Sequence, residues 1–251
     1  MIRTLTNDNF FKEIDSEEKA YLLGFFVADG NICMNARCKN SYRFGITLSE
    51  SDQYVVQWYH DFICPDRAIT YYQSANGAKN RKPVYSVSWT SNIMKEYMEN
   101  KYKIVPNKTH DLDFVFPFEH IPEEFQWDYI RGFFDGDGQI SYSEKTHQST
   151  FALYGTSRPY MEQLGSMFEQ KFGVEKRIEG TIKTKMELFC LRFSAHYKRK
   201  EFFLELYKTF YKNKKYFLVR KEEKFRKYLM FKYRVNQEDF ERLLDNVERR
   251  E

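Results

Sequence analysis

A chain of 251 residues can bury a sizeable hydrophobic core without disulfide stapling, which excludes the small stapled scaffolds. Forty Lys plus Arg against 36 Asp plus Glu leave a formal charge of +4, a mild excess that neither demands nor excludes a polyanionic partner. With 24 Phe, 19 Tyr and 3 Trp, the chain carries too many aromatic side chains to be disordered despite a mean hydropathy of −0.71.

In chain order, the first residues have no apolar run of the kind that directs secretion. Nowhere do about 18 apolar residues run uninterrupted, so a soluble, intracellular protein with no membrane partner is expected. A helix opens near Ser16, with Glu17 and Glu18 in its first turn, and Gly30 stops it. A hairpin is expected around 32–48, a helix within 48–63, and a second hairpin around 69–89 with its turn at Ala75-Asn76-Gly77-Ala78. A further helix precedes residues 111–121, which carry Pro117 and little periodicity and read as a linker between a first half at 1–110 and a second at 122–231. There Ile121-Pro122-Glu123-Glu124 opens a helix that Gly138 stops, and hairpins around 140–154 and 176–193 repeat the order. In the tail, 232–251, a short helix capped by Asn236 places Phe240, Leu243, Leu244 and Val247 on one face. Cys33, Cys38, Cys64 and Cys190 lack zinc-binding spacing and read as reduced thiols. Residues 198–227 hold 12 basic against 4 acidic side chains, either a solvated face or a phosphate-contacting surface.

The chain repeats itself. Tyr21 to Gly30, YLLGFFVADG, and Tyr129 to Gly138, YIRGFFDGDG, share Tyr, Gly, Phe-Phe and Asp-Gly at a constant shift of 108. The apolar spacing of 48–63 recurs in 153–168 at a shift of 105, and YSVSW at 85–89 recurs as FCLRF at 189–193 at a shift of 104. The fold class expected is therefore α+β, with two pseudo-symmetric halves of the order αββαββα.

On each repeated helix small residues stand four apart, Gly24 and Ala28 in one copy and Gly132 and Gly136 in the other. Small residues on one face let two backbones approach, and the duplication supplies the partner helix. One residue beyond each pair comes Asp29 or Asp137, facing the negative end of its helix dipole at a cost of about 0.3–1 kcal/mol. The same local rule broken twice points to function. Two carboxylates gathered at paired helix ends need a cation, and oxygen-only ligands suit Mg²⁺, which binds through one or two carboxylates plus substrate phosphate oxygens. Such metal sites cleave phosphodiesters, and one carboxylate per half matches the pseudo-two-fold symmetry of a DNA duplex.

With these residues in place, the chain resembles the LAGLIDADG homing endonucleases, in the single-chain form that fuses two such halves, over about 16–230. The resemblance implies the family's fold, with antiparallel sheets forming a DNA-binding saddle, and a metal-dependent double-strand break in a long DNA target. It implies Asp29 and Asp137 as catalytic metal-binding acids, with Ala28 and Gly136 assigned to the same metal sites. The first copy departs at Val27, where the second has Asp135. The cofactor implied is Mg²⁺, with Mn²⁺ or Ca²⁺ able to replace it in binding. The family also brings a lysine from late in each half to the scissile phosphate. Lys108 matches in the first half; in the second Lys221 is chosen, with Lys212, Lys214 and Lys215 as alternatives. Glu50, where the family often places a polar residue near the metal, has only Gly155 opposite, so an asymmetric site is expected.

Reading of the bases falls to the hairpins, because a two-stranded ribbon fits the major groove. Candidates are Asn31, Asn35, Arg37, Lys39, Arg43, Lys79, Asn80, Arg81 and Lys82 in the first half. In the second they are Gln139, Ser141, Ser143, Lys145, His147, Gln148, Lys183 and Lys185. The partner expected is double-stranded DNA and the protein a monomer. The alternative is a catalytically silent relative, an intron RNA maturase or a DNA-binding regulator. The ends, Met1-Ile2 and Arg249-Arg250-Glu251, lack the residues of protein splicing, so a free-standing protein is expected.

Overall fold

Each copy of the repeated sequence builds a four-stranded antiparallel sheet backed by helices. The architecture is that of a computed structural model, which describes residues 6–35, 38, 40–73, 83–146, 148–183, 186–194 and 201–246. The chain divides into two compact units, 1–136 and 137–251.

In the first unit, α1 (Glu17–Asp29) leads into β1 (Asn31–Met34) and β2 (Tyr42–Ser49), then α2 (Gln53–Ile63), β3 (Thr70–Tyr72), β4 (Val84–Thr90) and α3 (Asn92–Asn100). The sheet order is β1-β2-β4-β3. Period-2 alternation decides its two faces: Ile32, Phe44, Ile46, Leu48, Val87 and Trp89 are buried against the helices, and the intervening residues point the other way. Trp89 is the hub, stacked on Phe44 at 5.7 Å and flanked by Phe26 of α1 and Tyr59 of α2. Ser91 caps α3 by accepting from the Met94 N–H.

The stretch between α3 and the next helix has little periodicity yet is tightly packed. Phe116 is wholly buried, stacked on Tyr102 and 4.2 Å from the Tyr129 ring. Gln126 ties the segment down by donating to the carbonyls of Phe118 and Ile121. Helix α4 (Glu123–Asp137) follows, and all of it but its last residue belongs to the first unit.

The second unit contains β5 (Gly138–Tyr142), β6 (Ser149–Gly155), α5 (Arg158–Phe172), β7 (Arg177–Lys183) and β8 (Met186–Ser194), in the sheet order β5-β6-β8-β7. Here Ile140, Phe151, Leu153, Leu191 and Phe193 form the buried face, and Phe151 and Phe168 meet at 5.6 Å. Three helices follow: α6 (Phe202–Tyr211), α7 (Val219–Tyr233) and α8 (Gln237–Asn246). The repeat order predicts one helix before the tail. The structure has two, because α6 ends at Tyr211 and Asn213 turns the chain with φ 60° before α7 begins. Asn236 caps α8 by accepting from the Asp239 N–H, and Phe240 and Leu244 are the buried residues of its apolar face. Among the described residues, no helix is long and apolar enough to cross a membrane.

Candidate functional site

The small residues of α1 and α4 sit where the two backbones meet. A Cβ on Gly24 would lie 2.0 Å from the Tyr129 carbonyl oxygen, and one on Gly132 would lie 2.0 Å from that of Tyr21. The two contacts are related by the sequence shift of 108, so the pair of helices is pseudo-symmetric in contact as well as in sequence. Nearer the carboxyl ends, a Cβ on Gly136 would meet the Ala28 Cβ at 2.2 Å and Oδ2 of Asp29 at 3.3 Å. The close approach therefore places Asp29 against the last turn of α4.

The symmetry is broken by a buried polar set. Asp135 is wholly buried and its Oδ2 accepts a 2.9 Å hydrogen bond from the Tyr21 hydroxyl. Arg131, equally buried, pairs with Asp128 at 2.6 Å and Glu17 at 2.8 Å, and its guanidinium lies over the Tyr21 ring. Burial and then the charge of Asp135 push the Tyr21 phenol well above its ordinary value. Sequence reading missed this set; its signal was the substitution of Asp135 for Val27 between otherwise matching copies.

Each signature acid stands at a helix end with a lysine close by. Asp29 is exposed at the end of α1, while Gly30 behind it is buried. The Lys108 ammonium donates to the carbonyls of Val27 at 2.6 Å and Ala28 at 3.0 Å, so a positive charge covers the negative end of α1. Lys108 opens a one-turn helix, and Asn107 before it takes the left-handed conformation at φ 59°. In the second unit, Asp137 is half-buried and Gly138 starts β5 directly. There Lys221 of α7, almost fully buried, donates to the Gly138 carbonyl at 2.7 Å. The alternative Lys212 is engaged elsewhere, with the Leu244 carbonyl and Asp245; Lys214 and Lys215 lie in the turn before α7. Glu50 is exposed after β2, and Gly155 ends β6. Beneath α1, the buried Tyr59 hydroxyl donates to the Leu22 carbonyl at 2.5 Å; burial first, and then the charge of Asp29, raise its pKa well above the ordinary range.

Among the described residues, no cluster of three or more His, Cys, Asp or Glu could cage a metal. A hard divalent cation nevertheless suits one carboxylate, because Mg²⁺ keeps several waters and completes its shell with phosphate oxygens. The neighbouring carbonyls of Val27, Ala28 and Gly138 already accept from Lys108 and Lys221. The donor set fits a site completed by substrate.

Each sheet has one face turned away from its core. On the first, Asn31 and Arg43 are exposed, and Arg43 lies opposite Thr90. Asn35 follows β1 and donates its N–H to the Ser41 carbonyl. Arg37, Lys39, Lys79, Asn80, Arg81, Lys82, His147 and Lys185 lie outside the described residues, as does the turn at 75–78. On the second sheet, Gln139 is exposed and Ser141 half-buried on the open face. Ser143 serves the turn, its hydroxyl accepting from the Thr146 N–H, while Lys145 and Gln148 are exposed at the hairpin tip. Lys183 ends β7, opposite Met186.

Further residues that the sequence reading did not single out share these faces. Thr47, Ser86 and Ser88 line the first, with Thr47 and Ser86 hydrogen-bonded at 2.8 Å. Tyr154, Arg177, Glu179 and Arg192 line the second, where Tyr154 donates to Gln139 at 3.1 Å. Alternation about the buried Leu191 and Phe193 turns Arg192 outward; attention to clustered charge finds the hairpin tips instead.

Comparison with known proteins adds to this geometry. Residues 124–248 match the family model described as the LAGLIDADG-like domain. The fold is similar to that of the homing endonuclease I-WcaI bound to its DNA recognition sequence, with a TM-score of 0.57 at 13% identity over 86% of this chain and 90% of that one. It is also similar to that of the meganuclease I-SmaMI bound to uncleaveable DNA with a TTCT central four, with a TM-score of 0.54 at 12% identity over 93% and 97% of the two chains. At such identities the likeness is one of fold. Comparison with curated protein sequences finds no match.

Proposed function

The chain belongs to the LAGLIDADG family of homing endonucleases, and from that premise we propose that it is a monomeric, site-specific DNA endonuclease making a metal-dependent double-strand break. The observation that carries the reading is the repeated pairing of acid and lysine. Asp29 ends α1 with Lys108 on the carbonyls of Val27 and Ala28; Asp137 ends α4 with Lys221 on the carbonyl of Gly138. A lysine on the last carbonyls of a helix is ordinary capping, but nothing in packing alone calls for an acid at that same negative end, twice.

On this reading Asp29 and Asp137, with Ala28 and Gly136 beside them, hold Mg²⁺, and Mn²⁺ or Ca²⁺ replaces it in binding. A bound divalent ion supplies Lewis-acid activation of water and of the leaving oxygen. The chain's own residues do the rest. Lys108 and Lys221, held on main-chain carbonyls beside the two acids, would offer ammonium groups to the negative charge that grows on the phosphate. The open sheet faces hold the duplex, with Asn31, Arg43, Gln139 and Ser141 facing base edges. α6 and α7, which carry much of the basic run, pack on the opposite, buried face through Phe210 and Phe225 against Phe151. The functional halves are 1–110 and 122–231, joined by 111–121 and followed by the tail 232–251. α4 belongs functionally to the second half, because it runs directly into β5.

The test is to incubate the purified chain with a randomised duplex library and Mg²⁺ and to sequence the cut ends. Recovery of one long target cut on both strands with short 3′ overhangs is expected. Binding without cutting, by a chain whose Asp29 and Asp137 are intact, would favour a silent regulator or maturase instead.

A further inference from the structure

On the open face of the second sheet, Arg192 of β8 stands directly opposite Arg177 of β7. Like charges on cross-strand neighbours weaken a sheet, so the pair needs compensation. Glu179 provides it: Oε1 takes Nε of Arg177 at 2.8 Å, and Oε2 lies 3.7 Å from Nη2 of Arg192. On its other side Arg192 has Ala152 of β6 as its neighbour, a side chain too short to compete for the guanidinium. Beneath the sheet, Leu191 and Phe193 are locked in the core and fix the strand's facing, so Arg192 points away from it.

We propose that Arg192 is a specificity-determining residue, presenting its guanidinium to the O6 and N7 edge of one guanine in the half-site read by the second half, with Glu179 and Arg177 as positioning residues. The inference rests on the reading that this sheet lies against DNA. The planar fork of arginine matches the two acceptors of guanine, whereas adenine sets an amino donor where guanine has O6. A carboxylate 3.7 Å from the guanidinium draws it to one side and reduces the side-chain freedom lost on binding. The Glu179 pairing also explains why two arginines are tolerated side by side in the absence of DNA.

The test uses the full chain with Asp29→Asn and Asp137→Asn, so that duplexes stay intact, and selects bound sequences from a randomised library. One position of the second half-site should require guanine. Arg192→Lys, which keeps the charge and loses the fork, should lower that preference roughly tenfold while preferences at the other positions persist. Glu179→Gln should give a smaller loss at the same position. An unchanged consensus in both variants overturns the assignment, as does an equal loss at every position with an unchanged melting curve, which would make Arg192 a general phosphate contact. A parent that enriches no sequence overturns the DNA-binding reading itself.

Discussion

Gly24 lies so close to Tyr129 that a methyl group on its α-carbon would stand 2.0 Å from the Tyr129 carbonyl oxygen. The obstacle is backbone, which cannot swing aside as a side chain can. Gly24→Ala and Gly132→Ala should therefore each cost at least about 1–3 kcal/mol, read from the midpoint of urea unfolding. Gly45 on β2 is the internal control, since a Cβ there would meet its nearest neighbours at 3.7 Å. Gly45→Ala should change stability by less than about 1 kcal/mol. Equal effects at the three positions would contradict the close helix contact.

The hydrogen bond from Tyr21 to Asp135 gives a second prediction. Tyr21→Phe deprives a buried carboxylate of a donor and should cost about 1–3 kcal/mol. Asp135→Val restores the residue type of Val27, and joined to Tyr21→Phe it should cost clearly less than the two single losses added together. A double-variant cycle by urea unfolding measures the difference, and strict additivity would show the pair to be uncoupled.

Alkaline pH should weaken the fold. Tyr21 and Tyr59 are fully buried, and both are held protonated well above the ordinary 10.0, Tyr21 by burial and Asp135, Tyr59 by burial and Asp29. Above that value the unfolded chain loses protons that the folded chain keeps, so stability is complete below about pH 10 and falls as pH rises, by up to about 1.4 kcal/mol per unit for each group. Lys232, lowered by burial, acts with the opposite sign and offsets part of the fall. Melting temperatures between pH 8 and 11 measure the balance; Tyr21→Phe should flatten the curve, and a curve flat in the parent would contradict the buried phenols.

The lysines should act on rate. Lys108→Met and Lys221→Met should each slow single-turnover cleavage roughly 100-fold or more, the scale of losing one preorganised electrostatic partner, with a much smaller change in target affinity. An affinity loss that accounts for the whole effect would make them ordinary phosphate contacts.

Much of this was legible in the sequence because its rules are local. Alternation through Phe44, Ile46 and Leu48 marks a strand with one buried face, and an acid before a terminating glycine marks a helix end with a charge of the wrong sign. Phe116 was not legible: it sits in a stretch without periodicity, and only its contacts with Tyr102 and Tyr129 make that stretch part of the core. The break at Asn213 separating α6 from α7 depends on one left-handed residue in a run otherwise rich in helix formers. Arg131, Asp128 and Asp135 look like a polar helix face in sequence, because the tertiary partner that buries them, α1, lies more than 100 residues earlier.

The central claim, one catalytic carboxylate per half, is tested most directly by following each strand of a selected target separately, with Asp29→Asn, Asp137→Asn and the double variant in Mg²⁺. Impaired cleavage in both single variants and none in the double variant, with all three still binding the target, is the result predicted. Undiminished double-strand cleavage by the double variant would contradict it.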